Sequence, residues 1–164
     1  KSGRAIKYVK NPTEEMQLEA IKEDELSIKY IKNPTEKVQL EAVKQNGWAI
    51  QTIENPTKEM QLEAVKQIGS SIKFIKKLDQ TFEIVEAFFN FDWKNNDREE
   101  HYEFLSKKFI TKEQALIMIY DDPRHINFVS KKIQNEILEM KPELSKFVEE
   151  GYFEDCDDFS DLLE

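Results

Sequence analysis

Residues 33–47 read Asn33-Pro34-Thr35-Glu36-Lys37-Val38-Gln39-Leu40-Glu41-Ala42-Val43-Lys44-Gln45-Asn46-Gly47, and most of that phrase occurs three times at intervals of 22 residues. One further copy leads from Asn11-Pro12-Thr13 into Gln17-Leu18-Glu19-Ala20-Ile21-Lys22, the other from Asn55-Pro56-Thr57 into Gln61-Leu62-Glu63-Ala64-Val65-Lys66. A fixed period of this size predicts stacked structural units, an architecture that binds more often than it catalyses.

Each copy opens on a helix-start signal. Asn can cap an orphan amide while Pro occupies the first helical turn without losing a bond, and Glu14 and Glu36 suit the positive helix end; Thr13, Thr35 and Thr57 can equally serve as the cap. Met16, Leu18, Ala20 and Ile21 recur as Val38, Leu40, Ala42 and Val43 and as Met60, Leu62, Ala64 and Val65, a set whose i, i+4 pairs face a core. A short second helix follows, carrying Ile28 and Ile31, then Ile50 and Ile53, then Ile72 and Ile75. Gly47 and Gly69 precede it, where a left-handed residue commonly ends a helix. The unit is thus read as a hairpin of two helices, too short to bury its own apolar face and stable only when stacked.

Residues 1–10 match the second half of a unit, with Gly3, Ile6 and Val9 in the places of Gly47, Ile50 and Ile53. The expectation is a truncated chain, a cleaved product or part of a longer protein, whose first unit lacks its neighbour. Beyond Lys77 the copies diverge. Thr111-Lys112-Glu113 followed by His125-Ile126-Asn127-Phe128-Val129 repeats Thr57-Lys58-Glu59 followed by Ser71-Ile72-Lys73-Phe74-Ile75 at a shift of 54 residues, so the register is interrupted. Between them lie an aromatic cluster of Phe88, Phe89, Phe91 and Trp93 and a turn at Asn95-Asn96-Asp97. Helices are predicted near 79–90, 97–108, 111–120, 123–139 and 141–150. The expected fold is all-α: an α-solenoid of short hairpins over residues 1–77, divergent helical repeats or a cap over 78–148, and an acidic segment over 149–164.

The phrase at residues 33–47 resembles short helical repeats of bacteria, phages and large viruses that are grouped as a domain of unknown function. The resemblance covers residues 1–77 and fades beyond them. It implies an all-helical fold and is compatible with a phage or viral source, and it supplies neither catalytic residues nor a defined ligand.

Charge separates along the chain. Residues 1–77 carry 14 Lys/Arg against 11 Asp/Glu, whereas residues 78–164 carry 10 against 22, which accounts for the net charge of −9. The last sixteen residues hold eight carboxylates, Glu149, Glu150, Glu154, Asp155, Asp157, Asp158, Asp161 and Glu164, with no base among them. Such a segment repels nucleic acid and anionic lipid and attracts a basic surface. Tyr152, Phe153, Phe159, Leu162 and Leu163 are interspersed as hydrophobic anchors, so this segment is the leading candidate for contact with a protein partner. A second candidate is a ladder on the repeats: Lys7, Lys29 and Lys73 beside Tyr8, Tyr30 and Phe74, broken by Gln51 and Thr52. Lysines interleaved with aromatics can grip phosphates and stack bases, or can be a solvated face with tyrosines partly buried between units.

Catalytic and metal chemistry find no pattern. His101 and His125 lack metal-ligand spacing, no glycine-rich phosphate loop occurs, and the single Cys156 sits among Asp155, Asp157 and Asp158, which disfavour a thiolate. Gln17, Gln39 and Gln61 are read as hydrogen-bonding between units, and Glu19, Glu41 and Glu63 as solubilising. The expectation is a soluble, cytoplasmic, non-enzymatic protein, in host cytoplasm if phage-encoded. It needs no cofactor or metal and binds a protein with a basic surface, with neither membrane nor direct nucleic-acid contact. The alternative is an acidic nucleic-acid mimic that blocks a host nuclease or CRISPR effector.

Overall fold

The computed structural model describes residues 3–93 and 98–148. Among them the fold is all-α, with no strand: six α-helices are interspersed with 3-10 helices. The α-helices are α1 (Glu14–Glu23), α2 (Glu36–Gln45), α3 (Lys58–Gln67), α4 (Phe82–Asn90), α5 (Lys112–Asp121) and α6 (Lys131–Met140).

Threonine, not asparagine, caps the repeat helices. The hydroxyls of Thr13, Thr35 and Thr57 accept from the amides of Met16, Val38 and Met60, so each Pro lies just outside its helix. Its carbonyl is put to use there: Gln17, Gln39 and Gln61 donate side-chain amides to Pro12, Pro34 and Pro56 at 3.1–3.3 Å. These glutamines therefore brace the start of their own helix and do not join neighbouring units as expected, because a side chain on the first turn reaches back five residues more easily than across to the next helix.

The second element of each repeat is a six-residue 3-10 helix: Gly3–Tyr8, Glu25–Tyr30, Gly47–Thr52 and Gly69–Phe74. Side chains three apart eclipse in a 3-10 helix, and Ile28 with Ile31, Ile50 with Ile53 and Ile72 with Ile75 are all buried at that spacing. Asp24, Asn46 and Asp122 enter these turns in extended conformation and accept from the amide two residues on, at 2.8–3.0 Å. This Asx turn stops the α-helix and starts the 3-10 helix in one step. No left-handed glycine is involved. Gly47 is instead needed for close approach, since a Cβ there would lie 2.7 Å from the Ala64 carbonyl oxygen of the following helix.

Contacts group the chain into two compact units, Lys1–Phe109 and Ile110–Glu164. In the first, α1 packs on α2, α2 on α3 and α3 on α4, while each 3-10 helix of the repeats packs on the next. Ile21, Val43 and Val65 from the α layer and Ile28, Ile50 and Ile72 from the 3-10 layer are almost fully buried between the layers. Each contributes about 1.5–3 kcal/mol by burial. The 22-residue register breaks after Ile75, where an extra 3-10 turn, Lys77–Asp79, lengthens the link to α4. Buried Gln80 holds this link by donating to the carbonyls of Ile75 and Phe104 and accepting from the Ser106 amide. The aromatic cluster fills the space beside it, with Phe88 and Tyr102 buried and the Trp93 indole donating to the Phe88 carbonyl. The segment expected as a helix over 97–108 contains two 3-10 helices, Glu99–Phe104 and Lys107–Phe109.

The second unit repeats the same design. Thr111 caps α5 in a full capping box with Gln114, Asp122 starts the 3-10 helix Pro123–Phe128, and Val129 ends it. The expected helix over 123–139 is split at Ser130, after which α6 and the 3-10 helix Pro142–Phe147 form another copy. Pro142 removes a donor at the first position of that segment, which is a 3-10 helix where an α-helix over 141–150 was expected. Asn127 ties the two 3-10 helices together, donating to the carbonyls of Arg124 and Phe147.

Candidate functional site

The lysine and aromatic ladder lies on the 3-10 layer of the first unit, and the structure gathers it into two clusters. In one, the Lys7 ammonium stands 4.8 Å from the Tyr8 ring centre and 5.9 Å from that of Tyr30. In the other, Lys73 stands 4.8 Å from the Trp48 ring and 5.3 Å from Phe74, while Trp48 and Phe74 meet edge to face at 5.6 Å. Cation–π contacts at such exposed sites contribute about 0.5–1 kcal/mol. Lys29 is exposed beside Tyr30 and joins neither cluster through a ring contact.

Trp48 escaped the sequence reading because equivalence at 22 residues compares like positions. The contacts run from the second residue of one 3-10 helix to the last residue of the next, an offset of 26 that pairs Trp48 with Phe74 and sets Arg4 near Tyr30. Arg4 is held by Asp24, whose carboxylate lies 2.6 Å from its guanidinium and is kept below its ordinary value by that bond. The ladder is thus tied down by local pairs, and its break at Gln51 leaves no continuous cationic track.

Other polar contacts stitch α-helix to α-helix. Glu14 accepts from the Thr35 hydroxyl at 2.7 Å and from Lys37 at 3.3 Å, which together hold its carboxyl below the usual carboxylate range. Lys44 lies 3.9 Å from Glu59, and the Gln67 amide donates to the Lys44 carbonyl and to Glu63. Glu63 is therefore a half-buried hydrogen-bond partner as well as a solubilising group. Two clefts of about 560 and 440 Å³ open over the Asn-Pro turns, one at Asn33 and Pro34 and the next at Asn55 and Pro56, so the same concavity recurs one repeat on.

In the second unit, Arg124 folds back on Asp122, and its guanidinium and amide press the Asp122 carboxyl down to about 2. His125 contacts the Met118 carbonyl through Nδ1 at 2.9 Å, a local structural bond. Among the described residues no group of three or more His, Cys, Asp or Glu side chains is placed to hold a metal ion, and no helix is long and apolar enough to cross a membrane.

The acidic candidates Tyr152, Phe153, Glu154, Asp155, Asp157, Asp158, Phe159, Asp161 and Leu162 lie outside the described residues. Their electrostatic setting is still legible: residues 110–148 carry six Lys/Arg against six Asp/Glu, so the eight carboxylates of 149–164 are not offset by the unit that precedes them. Comparison of this chain with protein-family models, curated proteins and solved structures finds no match in any of the three.

Proposed function

We propose that this chain is a non-enzymatic interaction protein, in which the stacked repeats serve as a platform and the acidic C-terminal segment engages a basic surface on a protein partner. The observation that carries the reading is the composition of residues 149–164: eight carboxylates, no Lys or Arg, and five large apolar side chains, following a stretch of balanced charge. Carboxylates speed encounter with a basic surface, while Tyr152, Phe153, Phe159, Leu162 and Leu163 supply the desolvated contacts that give affinity. The interrupted lysine ladder, with its lysines over the protein's own rings, supports a packing role for that face over phosphate recognition.

The test is capture of the partner with the whole chain and with a form lacking residues 149–164. Loss of the partner on deletion is the expected result, and equal capture by both forms would refute the proposal. Competition then separates the alternative. If the chain and DNA or RNA exclude each other from one basic channel of the captured partner, the segment acts as a nucleic-acid mimic; simultaneous binding excludes mimicry.

A further inference from the structure

The two clefts over the Asn-Pro turns are one site met twice. Asn33, Pro34 and Gln39 line the first and stand 22 residues before Asn55, Pro56 and Gln61, which line the second. Ile53 and Glu54 line both, so the clefts join into one groove across successive repeats. The fold leaves polar groups in this groove unused. Thr35 and Thr57 cap the helices, and the exposed side chains of Asn33 and Asn55 make no hydrogen bond among the described residues. Gln61, only 4% exposed, gives its amide to the Pro56 carbonyl and leaves its own carbonyl oxygen without a partner. Along the rim, Lys32, Glu54 and Lys76 occupy one position in successive repeats. All three are exposed and make no ion pair among the described residues, so unpaired charge alternates in sign from repeat to repeat.

A ligand lying along such a groove must present the same face once per repeat. Packed helices stand about 8–10 Å apart. A β-strand returns the same face after two residues, about 6.6 Å, or after four, about 13 Å, and misses that step. A polyproline-II segment returns it after three residues, about 9.3 Å, and matches. An α-helix comes near the step once in seven residues, about 10.5 Å, but it bonds its backbone internally, whereas polyproline II leaves its backbone carbonyls free for the Asn33 and Asn55 amides. We propose that the groove binds a polyproline-II segment of a partner protein, carrying a carboxylate, a cation and a carboxylate at every third residue, opposite Lys32, Glu54 and Lys76. The backbone of the segment bonds to Asn33 and Asn55, and its apolar side chains lie against Pro34, Pro56 and Phe74, which line the groove. This reading does not depend on residues 149–164, and its test uses a synthetic ligand, so either proposal can fail alone.

The test is fluorescence anisotropy of a labelled peptide, Glu-Pro-Pro-Lys-Pro-Pro-Glu, titrated with the full chain. Its charge pattern reads the same in both chain directions, so the outcome does not depend on which way it lies. The charge-inverted Lys-Pro-Pro-Glu-Pro-Pro-Lys binds about tenfold more weakly, because three exposed ion pairs become three repulsions. That order runs against the net charge of −9, which by itself favours the inverted peptide. Glu54→Lys moves the preference to Glu-Pro-Pro-Glu-Pro-Pro-Glu. Asn33→Ala combined with Asn55→Ala weakens every peptide without changing their order, and both side chains lie outside the hydrogen bonds of the fold. Equal affinity for the first two peptides, undiminished binding of Glu-Gly-Gly-Lys-Gly-Gly-Glu, which lacks the polyproline-II bias, or no binding at all overturns the proposal.

Discussion

Truncating the same repeat position in two adjacent environments tests whether stacking or the single hairpin stabilises this fold. Met60 is fully buried between neighbours, whereas Met16 is half exposed. Met60→Ala removes a buried side chain and leaves a cavity, a change that costs about 2–5 kcal/mol. Met16→Ala removes roughly half of a burial term worth about 1.5–3 kcal/mol and opens no enclosed cavity, so it costs about 0.75–1.5 kcal/mol. In urea, at a mid-range slope of about 2 kcal/mol per molar, Met60→Ala lowers the midpoint by roughly 1–2.5 M and Met16→Ala by about 0.4–0.75 M. The measurement is urea unfolding followed by far-ultraviolet circular dichroism, with hydrogen exchange of the Ala42 and Ala64 amides reporting on the repeats separately. Equal losses at the two positions would refute the reasoning, since the side chains and their helices are alike and only the neighbouring helix differs.

Three other outcomes are expected. Gly47→Ala lowers stability by about 1–2 kcal/mol in thermal melts, because a Cβ would stand 2.7 Å from the Ala64 carbonyl; Glu25 at the equivalent position shows that the stack can open far enough for the variant to fold. Ser71→Ala is neutral or stabilising by up to about 1 kcal/mol in the same assay: the Ser71 hydroxyl is buried without a hydrogen-bond partner, and Ala49 fills the equivalent place one repeat earlier. Asp122 titrates at about 2 when folded against an ordinary 3.8, so its contribution is fully present above pH 4 and is lost as pH falls toward 2. Asp122→Asn removes that acid-dependent loss, as read by chemical denaturation between pH 2 and 5; an unchanged slope would show that the Arg124 contact is not formed in solution.

The first three α-helices were legible residue by residue. Pro before Thr, carboxylates in the first turn and apolar pairs at i, i+4 placed α1, α2 and α3 within a residue or two, because each signal acts inside one helical turn. The 3-10 helices were also written in the chain. Gly47, Ile50 and Ile53 are three apart and then three apart again, the period of a 3-10 helix, but isoleucines three apart fit an α-helix too, and the added i+4 contact that would separate the two is simply missing. The second unit was partly legible: its first copy showed through the 54-residue shift, while the copy beginning at Ser130 was hidden because its link to the preceding 3-10 helix shrinks from the five residues 31–35 to the two residues 129–130.

Sequence alone settled that the chain is helical and periodic and where its carboxylates collect, and it named much of the core, although Leu18, Leu40 and Leu62, expected inside, are only partly buried. Tertiary packing decided the rest. It paired Trp48 with Phe74 across an offset that no repeat alignment displays, required glycine at 47 through the approach of the next helix, and left Met16 open while closing Val38 and Met60. The physical reason is common to all three: each depends on the distance to a neighbouring repeat, and the residues within one repeat do not encode that distance.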